Sequence, residues 1–97
     1  MEIARTEDGG TVTLKVVGCL DTAATPQFAA AIDATGGCTA LALDFSEVDF
    51  VSSSALRTLV AMKKTRGAAF PVALLGLNEV VREVFDVTGL DEVFDIR

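Results

Sequence analysis

Residues 41–60, LALDFSEVDFVSSSALRTLV, decide the fold, because the chain passes there from a strand pattern to a helix pattern. Together with Ala40, the run ALALDF is apolar except for Asp44. Such a run fits a strand buried on both faces better than a half-exposed strand, whose apolar residues would alternate with polar ones. Asp44, Glu47 and Asp49 then predict an acidic loop, solvated by water and capped by its own side chains. Ser52, Ser53 and Ser54 lead into a helix in which Leu56, Leu59, Val60 and Lys63 recur at three- and four-residue spacing, and Gly67 stops it.

Upstream, residues 11–17 read TVTLKVV and place Val12, Leu14 and Val16 on one face, with Thr13 and Lys15 on the other. That is the two-residue period of a strand. Residues 2–5 supply a short partner strand, since Asp8, Gly9 and Gly10 can take the positive backbone angles of a hairpin turn. Thr25 followed by Pro26 predicts a helix start with threonine as cap. Phe28 and Ile32 share that helix's inner face, and Gly36 and Gly37 are expected to end it.

Downstream, residues 71–75 predict another short apolar strand. Asn78 caps a third helix with Val81, Val84, Phe85 and Thr88 as its inward stripe, Gly89 closes it, and residues 93–96 form a last strand. After the hairpin, helices and strands alternate. The expected fold is α/β, a single domain over residues 1–97, with a mostly parallel sheet of four to five strands opened by a hairpin and helices packed against it.

Composition limits the function. Apolar residues are 51% of the chain, enough to build one core at this length. The net charge of −6 and eight dispersed basic residues argue against nucleic acid, which needs clustered Lys and Arg. Lys63, Lys64 and Arg66 form the nearest approach to a basic patch, and they sit where they complement the negative end of a helix dipole. Cys19 and Cys38 lack CxxC spacing and no histidine is present, so buried free thiols are expected and no metal site. No apolar run is long enough to insert in a membrane, and the start MEIARTEDGG does not look like a signal peptide, so the expected location is the cytoplasm.

Catalytic motifs are missing as well. A serine or cysteine nucleophile would have no histidine base, Arg57 stands where SxxK would need lysine after Ser54, and GxSxG, GxxxxGK and GxGxxG are absent. Asp44 ends a strand as a phosphoacceptor aspartate would. However, the first main strand ends in Val17, Gly18 and Cys19 without acidic residues for magnesium, and residues 76–79 offer no lysine. No catalytic residue and no cofactor is therefore assigned, and the chain is read as a non-enzyme.

The run LALDFSEVDFVSSSALRTLV, from Leu41 to Val60, resembles the signature of the STAS domain family (sulphate transporter and anti-sigma factor antagonist), a strand ending LDLS followed by V-x-F-x-D-S-S-G-L. Gly18, Cys19, Leu20 and Asp21 look like the family's G-x-L-D. Residues 78–90, with Val81, Phe85, Thr88, Gly89 and Leu90, look like its closing helix and T-G-L turn. The resemblance implies an anti-sigma factor antagonist that binds an anti-sigma factor with serine kinase activity and thereby releases a sigma factor. The kinase would phosphorylate the antagonist and a phosphatase would reverse it. By position, the phosphorylated serine is Ser53, with Ser52 and Ser54 as secondary candidates, and the partner surface comprises Asp21, Thr22, Ser52, Ser53, Ser54, Leu56 and Arg57. Leu56 fits the helix core stripe equally well.

Two positions depart from the family pattern: Ser52 stands for its aspartate and Ala55 for its glycine. The first departure motivates an alternative within the family, a non-phosphorylated STAS subunit of a phospholipid-transport ABC complex. Under the leading reading, a phosphate on Ser53 adds roughly −1.5 to −2 charges in the first turn of a helix. There the dipole tolerates an anion, while a partner surface buried against it would not.

Overall fold

Gly9 and Gly10, both at positive φ, close a hairpin between β1 (Glu2–Asp8) and β2 (Thr11–Leu20), whose pairing runs from Glu2↔Val17 to Asp8↔Thr11. The computed structural model describes residues 1–97. Beyond the hairpin come α1 (Thr25–Asp33), β3 (Ala40–Val51), α2 (Ser53–Arg66), β4 (Val72–Leu75) and α3 (Glu79–Thr88). A 3₁₀ turn over Leu90–Glu92 leads to β5 (Asp95–Ile96). The strands form one sheet in sequence order, antiparallel between β1 and β2 and parallel from β2 to β5. The α/β fold with a hairpin and a mostly parallel sheet is therefore as expected.

Because the strand order advances one way without reversal, crossovers of one hand put every helix on the same face of the sheet. Val12, Leu14 and Val16 of β2, Leu41, Leu43 and Phe45 of β3, and Val72 and Leu74 of β4 point to that face. They join Phe28 and Ile32 of α1, Leu59 of α2 and Val81 and Phe85 of α3 in one core cluster. Phe28 meets Phe45 with ring centroids 6.2 Å apart, and Phe85 meets Phe94 edge-on at 6.2 Å. The opposite sheet face carries Thr13, Ala42 and Ala73, all half-buried. The expectation that the 40–45 strand is buried on both faces is thus corrected. Its apolar look comes from small alanines on the uncovered face.

The predicted acidic loop is also corrected. Glu47 and Asp49 lie within β3, which continues to Val51. Lys15 pairs with Asp44 but Val17 with Glu47, and Gly18 pairs with Val48 but Cys19 with Phe50. At each step β3 advances one residue further than β2, so it carries two bulges. Bulging changes the inward spacing from two to three, which is why Phe45, Val48 and Val51 are buried in succession. A period of three has no strand signature in sequence.

Smaller differences have local causes. α1 starts after Ala24 rather than with Thr25 as its cap, and it ends at Asp33 before a turn through Thr35, rather than at Gly36 and Gly37. The Thr35 hydroxyl accounts for the early stop, donating to the Ile32 carbonyl at 2.6 Å. β1 extends to Asp8, beyond the expected residue 5, and β5 is only Asp95–Ile96. The caps expected of Asn78 and Gly89 are present: Asn78 accepts from the Val81 amide at 2.8 Å, and Gly89 is left-handed at φ 77°.

Gly76, where the chain leaves β4, passes directly against β3. A Cβ there would lie 2.8 Å from the Ser46 Cβ and 3.0 Å from its Cα, at a φ of +70°. Gly76→Ala should therefore destabilise the fold by about 2 kcal/mol or more. At Gly37, a Cβ meets nothing within 4 Å, and Gly37→Ala should stay within about 0.5 kcal/mol of wild type. Urea unfolding midpoints of the two variants test this, and equal midpoints would contradict it.

A candidate docking site at the carboxyl end of the sheet

The amide of Ser52 donates to the Leu20 carbonyl at 2.8 Å, one residue beyond the last β2–β3 pair, Leu20↔Val51. Asp21 and Thr22 therefore leave β2 beside the point where Ser53 and Ser54 enter α2. In open α/β sheets the carboxyl ends of parallel strands are where ligands bind. Asp21 also has a local task. Its carboxylate accepts from the Ala24 amide at 2.8 Å, and its carbonyl accepts from the Thr25 hydroxyl at 3.0 Å. This turn starts α1 without a threonine cap, and it leaves Thr22 exposed.

The three serines have separate fates. Ser52 is only 7% exposed and extended (φ −78°, ψ 163°), and its hydroxyl accepts from the Ala55 amide at 3.2 Å. It is the helix cap, and its hydroxyl is engaged within the chain. Ser54 is half-buried, and its carbonyl accepts from Thr58. Ser53 is exposed in the first turn of α2 and its side chain has no partner within the chain. The free backbone N–H groups and positive dipole end of that turn favour an anion.

Helical periodicity carries Leu56, Arg57, Val60 and Lys64 away from the sheet on the same helix. With Ser53 and Leu90 they line a groove of about 580 Å³ between α2 and the end of α3. Leu56 is half-buried and reaches both the core cluster and this groove. Val60, Lys64 and Leu90 were not anticipated as site residues. Of the recurring set Leu56, Leu59, Val60 and Lys63, only Leu59 is fully buried, and α2 turns Ala55, Leu59 and Met62 to the core. A small alanine among the periodic positions hid the true face. Likewise Val84 is half-buried and Thr88 exposed, so α3 turns mainly Val81 and Phe85 inward.

Other candidate groups are structurally engaged. Lys63 donates to the carbonyls of Ala68 and Phe70. Arg66 ties α2 to α1, donating to the Ile32 carbonyl at 2.9 Å and the Thr35 hydroxyl at 2.8 Å, and lies over the Phe70 ring. Cys38 is half-buried near Arg66, whereas Cys19 is exposed, which corrects the expectation of two buried thiols. Cys19 follows Thr13, Lys15 and Val17 on the face of β2 turned away from the core, where it pairs with Phe50 beside the second bulge of β3. No group of three or more His, Cys, Asp or Glu converges as a metal site, and no helix is long and apolar enough to cross a membrane.

Among the carboxylates, Asp44 is held below its ordinary pKa by hydrogen bonds from Ser46, including its amide at 3.0 Å, with a smaller contribution from Lys15. That direction is opposite to what a general acid requires. Lys15 is raised above its ordinary value by hydrogen bonding and charge from Glu47, their ion pair closing at 2.9 Å. These groups hold β3 against β2 across its first bulge, and none of them lines the groove beside Ser53.

A family model described as "Mlab, STAS domain" matches residues 3–96. The chain belongs to the STAS domain family. No curated protein matches the chain. Among solved structures, an anti-sigma factor antagonist from Mycobacterium paratuberculosis is 26% identical, with 98% of this chain and 83% of that chain covered and a TM-score of 0.88. The anti-sigma factor antagonist SpoIIAA in its unphosphorylated form is 25% identical, covering 99% and 88%, with a TM-score of 0.81. The phosphorylated form of the Bacillus cell fate determinant SpoIIAA shares the fold at a TM-score of 0.75, with 23% identity and coverage of 99% and 91%.

Two outcomes test the division of labour in this STAS domain. Ser52→Ala should lower stability by about 1 kcal/mol through the lost cap, while Ser53→Ala should change it by less than about 0.5 kcal/mol. Comparable losses in urea unfolding would contradict the assignment. Asp44, with its folded pKa depressed, contributes stability that is present above the ordinary carboxylate pKa and lost as pH falls through and below it. Asp44→Asn should flatten the decline in unfolding midpoint between about pH 7 and pH 3; an unchanged slope would refute the role.

Proposed function

We propose that this STAS domain is an anti-sigma factor antagonist. It docks through the carboxyl end of its sheet and the outer face of α2 onto an anti-sigma factor with serine kinase activity, so that a sigma factor is released. Reversible phosphorylation of Ser53 controls it, with a phosphatase restoring the active form. The observation that carries this reading is the exposed, unpartnered Ser53 in the first turn of α2, at the head of an apolar groove, in a chain whose solved neighbours at 25–26% identity are anti-sigma factor antagonists. Asp21, Thr22, Ser54, Leu56 and Arg57 complete the docking surface. The domain, taken as residues 1–97, works as a regulator in the cytoplasm and not as an enzyme.

A phosphate fits the first turn of α2 without unfolding it, since the dipole and free amides favour the anion. Burying that charge against a partner that offers no cation in return costs several kcal/mol, on the order of a thousandfold in affinity. Incubation with the cognate anti-sigma kinase and ATP should add one phosphate, mapped to Ser53 by mass spectrometry. Ser53→Asp should weaken the complex while Ser53→Ala does not. No mass change, together with full binding by the aspartate variant, would overturn the switch.

One observation favours a second reading. Ser52 occupies the position of the family's aspartate and its hydroxyl is used as the helix cap, so the charge that precedes the phosphorylated serine elsewhere in the family is missing. This is compatible with a non-phosphorylated STAS subunit of a phospholipid-transport ABC complex. Stable copurification from the native cell with a transporter ATPase would favour it and exclude the first.

A further inference from the structure

The chain has eight basic residues, and nearly all are paired. Arg5 meets Glu7, Lys15 meets Glu47, Arg82 meets Asp86 and Arg97 meets Asp95. Lys63 and Arg66 are held by backbone carbonyls. Only Arg57 and Lys64 make neither an ion pair nor a hydrogen bond, although the protein around them carries a net charge of −6. Glu92 shares an adjoining hollow with Lys64 without pairing to it. Both free cations line the same groove, whose apolar lining includes Leu56, Val60 and Leu90. They stand seven residues apart on α2, two turns or about 10.5 Å along the axis.

We propose that this groove receives an acidic amphipathic helix of the partner, with apolar side chains seated on Leu56, Val60 and Leu90 and carboxylates seven residues apart meeting Arg57 and Lys64. The proposal rests on the docking function above and specifies the chemistry of the docked segment. A helix suits the site because the groove runs along a helix, and the helix-in-groove mode presents apolar anchors at three-, four- and seven-residue spacing. Two cations set one heptad apart then match a facing helix with the same acidic repeat. A nucleic-acid backbone is disfavoured, because the remaining surface is acidic.

The assignment also links the groove to the serine. Ser53 precedes Arg57 by four residues, so the two are neighbours on the helix surface. A phosphate on Ser53 takes Arg57 into an internal charge-assisted pair, and the partner's carboxylate then faces a phosphate in place of a cation.

Panning a library of helical peptides against the full chain tests the proposal, with Arg57→Glu/Lys64→Glu as the charge-reversed bait and Arg57→Gln/Lys64→Gln as a milder control. Circular dichroism confirms that each bait is folded. The wild type should select peptides with acidic residues seven apart beside an apolar stripe, and their binding should shift the amide resonances of Leu56, Val60 and Leu90. The reversed bait should select lysine or arginine at those positions and bind the wild-type peptides at least about tenfold more weakly, with the glutamine control between the two. Neutral or basic peptides from the wild type, no peptide that shifts those amides, or equal affinity for the reversed bait would overturn the proposal. Phosphorylation of Ser53 by an anti-sigma kinase alongside a failed panning overturns the groove assignment alone. Acidic peptides selected by a chain that no anti-sigma factor binds overturn the function and leave the groove assignment standing.

Discussion

The hydrogen bond from the Ser52 amide to the Leu20 carbonyl, 2.8 Å long, fixes where strand pairing stops and where α2 starts. Ser52 stays extended and buried because its amide completes the β2–β3 ladder, and its hydroxyl can then turn onto the Ala55 amide. With the cap set at residue 52, the 3.6-residue period decides every later position. Ala55, Leu59 and Met62 face the sheet, while Leu56, Val60 and Lys64 line the outer groove. A shift of one residue in that start would exchange a buried serine for an exposed one and move the groove's lining inward.

That start depends in turn on the two bulges of β3. Without them the strand would keep its two-residue alternation past Phe45 and could not bury Phe45, Val48 and Val51 in sequence. The bulges consume extra residues against β2, and the Lys15–Glu47 ion pair and the Asp44–Ser46 hydrogen bond lie across the first of them. Acidic residues that might have suggested chemistry therefore hold the strand that aims the site. Gly76 adds a constraint from the other side, since only a residue without Cβ lets β4 exit so close to Ser46.

Much of this fold was legible from local signals. The Gly9–Gly10 turn, the alternation of residues 11–17, the cap at Asn78 and the stop at Gly89 each rest on one strong propensity, and each is present in the structure. What could not be read depends on register or topology. The bulges erase the strand period, so Glu47 and Asp49 looked like a loop. The open sheet face follows from strand order, which no local pattern carries, and so Ala40 and Ala42 looked buried on both sides. The groove was hidden for a different reason: two overlapping periodic sets run along α2, and only packing against the sheet chooses between them.

The candidate site divides along the same line. Ser53 stood out by its position in the family pattern, whereas the groove of Val60, Lys64 and Leu90 joins α2 to a distant segment only on folding. The proposed docking function then rests on how sharply the chain separates residue 52 from residue 53. Amide hydrogen exchange measured by NMR tests that separation most directly. The account predicts that the amides of Ser52 and Ala55 exchange nearly as slowly as the core strands, while the Ser53 amide exchanges rapidly. Fast exchange at Ser52, equal to that of Ser53, would contradict it.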